Sequence, residues 1–370
     1  MKTVKNKKRF LFQLNHPAHY HLFKNIIQIL ENKGYKILIS IKDKDILKDL
    51  VKNYSYVQIS VGYRKKFIYS ILKSVIDRDK KLLKIVKDFK PDLMIGTSPE
   101  IGHISPLAKI PALFFGEDDV DLSIPMYLGA LTCYPFFDCI LTPSCVNNSI
   151  WNRKTVFYEG FQKLAYLHPN RFTPQRRLVD IDKSNKYFII RFSALTAYHD
   201  NGVSGITDLL ARRIISKLLP YGKVLISSER TLPNDLEEYR FRENLDYMHH
   251  YLAYANLFIG DSQTMCAEAG LLGTPFIRYN DFVDKIGYLN EIEKKYQLGF
   301  GIKTGNEDVL IDKMIELLNT PEIKKIFNAR KNRMLKEKID VTSFFVWFIE
   351  NYPESKRKMK ENPDYQYNFK

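Results

Sequence analysis

The residues best suited to chemistry form the run Gly260-Asp261-Ser262-Gln263-Thr264, with Glu268 four positions after Thr264. An apolar strand, 257–259, leads into this polar turn, and the spacing predicts a helix over 264–272. Asp261 and Ser262 are favoured helix caps, because a short side-chain oxygen accepts an amide of the first turn. The helix start beyond them offers N–H groups without intrahelical partners and the positive end of a dipole, which suits an anion. Glu268 shares the helix face of Thr264. A diphosphate held at Ser262, Gln263 and Thr264 would place a ribose one turn along, where one carboxylate can accept two hydroxyls. The same spacing suits an ordinary capped connection stopped by Gly273-Thr274-Pro275, and the turn does not select phosphate over another anion.

Other candidates also follow predicted strands. Arg191 precedes His199-Asp200-Asn201. A guanidinium neutralises phosphate, and an imidazole can donate to a β-phosphate or move a proton; the alternative is a loop in which Asp200 is a cap. In the first half His16, His19 and His21 fall within one or two helical turns. Metal binding is one reading, but no carboxylate or cysteine stands near in sequence, so no metal is expected. A histidine there suits a general base toward a hydroxyl, or these are capping and packed rings. Glu100, in Thr97-Ser98-Pro99-Glu100, and Glu117 and Asp118, in Gly116-Glu117-Asp118-Asp119, follow strands of the same half. Facing one opening, such carboxylates would raise one another's pKa; in a solvated loop they would not.

The elements that must hold these groups alternate between strand and helix. Strand 9–14, a turn at 15–19, a helix over 20–32 stopped at Gly34 and strand 36–41 make a βαβ unit, which implies a parallel sheet. Strands at 92–95, 112–115 and 139–141 continue it. A second series holds strands 187–191, 223–227, 257–259 and 276–278, with helices near 207–219 and 264–272. The expected organisation is a first α/β domain over 1–165, a linker over 166–185, a second α/β domain over 186–344, and 345–370 packing back onto the first. Ligands of open parallel sheets lie at the carboxyl ends of the strands, which puts the candidates around a cleft between the two halves.

Composition narrows the classes. With 45% apolar residues in 370, the chain can build full cores, and neither disorder nor a disulfide scaffold is expected. Cys133, Cys139, Cys145 and Cys266 lack metal-site spacing and read as free thiols near the core. The longest uncharged run, 122–137, holds two prolines and falls short of the about 20 residues of a spanning helix. A cytoplasmic protein is expected. The net charge of +15 sits in residues 1–90, and the rest balances to zero. The excess peaks over 64–90, where apolar residues recur at helical spacing. That stretch is either a solvated helix face or a surface meeting an anionic partner, such as a phosphate-bearing acceptor or the inner face of a membrane. A nucleic-acid groove is disfavoured, because no nucleic-acid-binding signature accompanies the charge.

The chain resembles known families at several of these motifs. Asp261, Ser262, Glu268, Ala269, Leu272, Gly273 and Pro275 match the nucleotide-binding segment of GT-B enzymes, especially non-hydrolysing UDP-N-acetylglucosamine 2-epimerases, with Gln263 and Thr264 standing where those enzymes have two glycines. His16-Pro17-Ala18-His19, Arg191-Phe192-Ser193-Ala194 with His199-Asp200, Gly260 to Met265, and Leu272-Gly273-Thr274-Pro275 through Arg278-Tyr279-Asn280-Asp281-Phe282 resemble a bacterial and archaeal family, domain of unknown function 354, over most of residues 9–340.

The resemblance implies an α/β GT-B fold of two Rossmann-like domains and a glycosyltransferase that needs no metal or cofactor. It would take a nucleotide-diphosphate sugar as donor and a glycan or lipid-linked acceptor, in surface-polysaccharide assembly. Arg191, Ser262, Gln263, Thr264 and Glu268 would bind the donor. Glu117, His16 and His199 would do the acid–base work, with His19, Glu100 and Asp118 on the acceptor side. The alternatives are a UDP-sugar 2-epimerase, against which the replaced glycine pair counts, and a non-catalytic scaffold that binds a membrane or partner through 64–90.

Overall fold

The computed structural model describes residues 7–42, 45–59, 68–193 and 205–370. Its first strand shows why parallel pairing follows from the sequence. Phe10, Leu11, Phe12 and Leu14 of β1 (Arg9–Leu14) are all fully buried. A strand covered on both faces needs a continuous apolar run rather than alternation. β2 (Lys36–Ile41), β3 (Tyr56–Gln58), β4 (Leu93–Gly96), β5 (Ala112–Phe115), β6 (Cys139–Pro143) and β7 (Thr155–Tyr158) complete a seven-stranded sheet in the order β3-β2-β1-β4-β5-β6-β7. Every pairing in it is parallel.

The second sheet is built from β8 (Tyr187–Phe192), β9 (Lys223–Ser228), β10 (Leu257–Gly260), β11 (Phe276–Tyr279) and β12 (Gly299–Ile302), in the order β12-β11-β10-β8-β9, again all parallel. In each sheet the chain order reverses beside the first strand. The first reverses between β1 and β4, the second between β8 and β10. Connections on the two sides of such a point leave on opposite faces of the sheet and open a crevice at the strand ends.

The chain divides into two compact units, 1–168 with 339–370, and 169–338. The stretch 166–185, read from its prolines as a linker, is largely fastened within the second unit. The Tyr254 hydroxyl donates to the Pro174 carbonyl (3.1 Å), and the amides of Gln175 and Asp180 donate to His250 Nδ1 (3.0 Å) and the Tyr251 hydroxyl (2.9 Å). In the first unit the late helix Val341–Glu350 closes the core. Phe345 meets Phe115 and Tyr158 edge-on at 4.7 and 5.0 Å, and Thr342 donates to the Ala165 carbonyl at 2.6 Å.

The first helix differs from its predicted bounds, and the basic stretch falls within its own. The first is Pro17–Asn32, starting three residues before the predicted 20–32, because His16 caps it and Pro17 brings a φ already suited to a helix start. The basic amphipathic stretch is one helix, Ile68–Phe89.

Candidate functional site

At the switch point of the second sheet, Ser262 is the N-cap of the helix Gln263–Leu271, and its hydroxyl accepts from the Met265 amide at 3.4 Å. Gln263 and Thr264 are half-buried at the tip. Their N–H groups, like those at any helix start, have no intrahelical acceptor. The far end closes on Gly273 at φ +85, with Gly273 N–H donating to Gly270 and Thr274 N–H to Ala269, a left-handed cap that disfavours a side chain.

Asp261, before the cap, is turned inward. Its carboxylate accepts from the amides of Ser193 (2.7 Å) and Ile206 (3.2 Å), tying the end of β8 to the later chain. Burial pushes its pKa up, against the opposing pull of those amides. Glu268 lies one turn into the helix and is 5% exposed. His249 Nε2 meets its Oε1 at 3.2 Å. Arg191, the register partner of Gly260 across β8 and β10, donates from Nη1 to Ser227 Oγ (2.7 Å) and pairs with Glu229. Its Nε is buried and has no acceptor among the described residues.

Beneath the tip lies a closed polar network. Arg278 is fully buried and grips Glu293 through two bonds, 2.7 and 3.0 Å, and Asn280 Oδ1 at 3.1 Å. Asn280 in turn donates to the Asp261 carbonyl at 2.9 Å. The glycine at 301 leaves room for this pair, since a Cβ there would stand 2.6 Å from a Glu293 oxygen. Ser262, Gln263, Thr264, Glu268 and Arg191 are thus brought to one sheet end. His199, Asp200 and Asn201 lie outside the described residues.

The first unit places its candidates at the other switch point. His16 Nδ1 accepts from the Ala18 amide at 3.2 Å, as a helix cap. His19 Nδ1 accepts from the Asn15 amide at 3.1 Å, and Thr97 Oγ1 lies 2.8 Å from it. A ring nitrogen that accepts an amide N–H carries no proton, so in the neutral ring the proton is on Nε2. In His19 that Nε2 lies 2.9 Å from Thr97 Oγ1 and is set to donate to it. His21 meets Tyr166, with ring centroids 5.4 Å apart.

The acidic candidates of this unit differ from their expected setting. Glu100, expected to orient a hydroxyl, is 2% exposed and enclosed by Lys42 (3.2 Å), Arg78 (2.8 Å) and Gln13 Nε2 (3.3 Å). Burial alone would raise its pKa, but Lys42 and Arg78 outweigh it, and the carboxyl is held below its ordinary value. Mutual repulsion is therefore not what sets it. Glu117 is 7% exposed, with one oxygen accepting from the Gln162 amide at 2.7 Å and the other paired with Lys163. Its pKa is raised, first by burial and in smaller part by Asp118, which is itself exposed.

Sequence reasoning missed His249, Lys163, Lys42 and the Arg278–Glu293 pair. Each is distant along the chain from the group it serves, and no periodicity links them. Arg78 belonged to the basic stretch read as a wet face, yet it turns in to Glu100, and its neighbour Asp79 meets His103 at 3.0 Å. All four cysteines are free, and burial pushes the Cys133 and Cys139 thiols up to about 12. Among the described residues no group of three His, Cys, Asp or Glu side chains is placed to hold a metal ion, and no helix is long and apolar enough to cross a membrane.

The family described as protein of unknown function (DUF354) matches residues 10–346. The chain belongs to that family. No curated protein matches it. Solved structures similar to it include the glycotransferase of kitacinnamycin, at 11% identity and a TM-score of 0.66, covering 93% of this chain and 99% of that one. The UDP-GlcNAc 2-epimerase from Neisseria meningitidis bound to UDP-GlcNAc matches at 12% and 0.64, over 92% and 99%. The spinosyn rhamnosyltransferase SpnG complexed with thymidine diphosphate matches at 14% and 0.61, over 93% and 100%. At such identities the likeness speaks to the fold, and the fold is GT-B.

Proposed function

We propose that the chain is a glycosyltransferase of the GT-B type. It moves a sugar from a nucleotide-diphosphate donor to a glycan or lipid-linked acceptor, in surface-polysaccharide assembly. The observation that carries this reading is the second switch point. A half-buried helix tip at Ser262–Thr264, a buried Glu268 one turn deeper and an Arg191 whose Nε–H has no acceptor among the described residues share one sheet end. This arrangement suits a nucleoside diphosphate, with the phosphates at the amides and at Arg191 and the ribose diol at Glu268. His249 fixes one Glu268 oxygen and so orients the carboxylate.

In the transfer, the acceptor oxygen bonds to the anomeric carbon as the bond to the diphosphate oxygen breaks. Charge develops on the departing diphosphate, and the fixed amides with Arg191 stabilise it there. The acceptor proton passes to a base, sought among Glu117, His16 and His199. Glu117 would first have to part from Lys163 and Gln162, and His16 from the Ala18 amide. His19, Asp118 and the enclosed Glu100 belong to the acceptor side in this reading. The nucleotide sugar is substrate, and no metal or cofactor is called for.

A thermal-shift screen with UDP, GDP, CMP and dTDP tests it. A nucleotide at 100 times its Kd should stabilise the fold by about 2.7 kcal/mol, and Glu268→Ala should abolish that shift while the ligand-free protein still melts cooperatively. A shift that survives Glu268→Ala places the nucleotide elsewhere. Conversion of a free UDP-sugar with no acceptor present selects a 2-epimerase using the same donor site.

A further inference from the structure

The helix Ile124–Cys133 in the first unit is apolar all round, and no charged residue occurs in 122–137. Its inner face is accounted for, because Ala130 and Cys133 are buried in the core and Tyr127 packs against it. Its outer face is bare. Ile124 is 78% exposed, Leu128 55% and Leu131 40%, a stripe at helical spacing, and Phe136 in the turn that follows is 45% exposed. A helix apolar on every side is normally enclosed by protein or lipid, and a contiguous apolar face on a soluble surface marks a contact site.

The Phe136 end of the stripe is flanked by bases. Lys154 Nζ donates to the Pro135 and Phe137 carbonyls on either side of Phe136, at 2.5 and 3.2 Å, and Arg153 beside it is exposed. The adjoining helix Pro99–Ala108 packs on this segment at Gly102, where a Cβ would stand 2.8 Å from the Phe137 ring, and it ends at an exposed Lys109. That helix carries on its other side the basic helix Ile68–Phe89, through Arg78–Glu100 and Asp79–His103. Of the acids flanking the stripe in sequence, Asp138 is turned inward to the Ala112 amide (2.9 Å), while Asp118 and Asp121 stand exposed ahead of the helix cap at the Ile124 end.

We propose that the outer face of Ile124–Cys133, with Phe136 and the bases Lys109, Arg153 and Lys154, docks the first unit onto an anionic lipid bilayer. The apolar stripe enters the headgroup boundary while the bases meet lipid phosphates. A second copy of the chain fits less well, since a self-complementary contact would press the bases beside Phe136 against their own copies. The surface is separate from the donor site and stands whether or not the donor reading does.

Vesicle flotation of the full chain tests it. The protein should float with vesicles of phosphatidylcholine and phosphatidylglycerol and far less with phosphatidylcholine alone. The triple change Ile124→Ser, Leu128→Ser, Leu131→Ser should weaken binding about tenfold or more. Lys109→Glu with Arg153→Glu should weaken it about fivefold per charge, on the anionic vesicles only. Unchanged melting curves serve as the control for folding, because these side chains are exposed. Failure of the unaltered chain to bind anionic vesicles overturns the proposal, as does equal binding by the triple variant. A dimer in light scattering that the triple variant dissolves overturns it in favour of a second copy.

Discussion

The two switch points share a plan and are finished differently. Each has a strand end, a capped helix start and a buried carboxylate nearby. In the first unit the cap is a bulky imidazole, and the buried carboxylates are matched from within, Glu100 by Lys42 and Arg78 and Glu117 by Lys163. In the second the cap is a small serine, the tip is half-buried, and Arg191 keeps an Nε–H with no acceptor among the described residues. The same topology therefore pairs cations with its own carboxylates in both units, Arg191 with Glu229 and Arg278 with Glu293 in the second, and the second adds a half-buried helix tip behind a small cap.

The largest expected effect tests the support of the second site. Arg278→Ala leaves Glu293 buried and unpaired, and should cost about 3–5 kcal/mol in urea unfolding; a loss under about 1 kcal/mol would show the pair to be solvated. Glu117→Gln probes the matching device in the first unit. If Glu117 and Lys163 form a structural pair, the substitution should cost about 2 kcal/mol or more. Full stability with lost turnover would instead mark Glu117 as the working base and blur the contrast.

The caps give a finer comparison. Ser262→Ala and His16→Ala should each cost about 1 kcal/mol of stability, but only Ser262→Ala should diminish a nucleotide-induced thermal shift; an equal loss from His16→Ala would break the division of roles. The smallest effect concerns His103. Its bond to Asp79 holds its pKa above the ordinary 6.5, so its contribution is complete below pH 6.5 and is lost as pH rises through the elevated value. The stability gap between the unaltered chain and His103→Gln should be about 1 kcal/mol or less, widest in acid and closing with rising pH. A gap that widens toward alkaline pH would contradict the assignment.

Much of the frame was legible. Continuous apolar runs ending in Gly, Pro or polar turns marked β1, β2, β5 and β10 to within a residue, because a doubly covered strand leaves that signature. β3, β7 and β12 were not read. β3 has three residues of mixed polarity, and β12 is half glycine, its backbone packed close against Phe276 and Glu293. In the candidate site, the Ser262 cap and the position of Glu268 on its helix were legible from spacing alone. His249 was not, because its helix meets Glu268 only through the fold of the second sheet.

What the linear order determined is what acts over short range: the βαβ alternation, the cap at Ser262, the left-handed stop at Gly273, and a basic first quarter followed by an apolar run without charge. Only the tertiary structure decided which carboxylates face cations. Coulomb interaction depends on separation and burial in space, not on position along the chain. Thus Glu100 is held low by Lys42 and Arg78, while at Glu117 burial outweighs Lys163 and at Asp261 it outweighs the amides, and both are raised. Packing against the sheet likewise decided that one face of an evenly apolar helix joined the core and that the other, at Ile124, Leu128 and Leu131, was left outside.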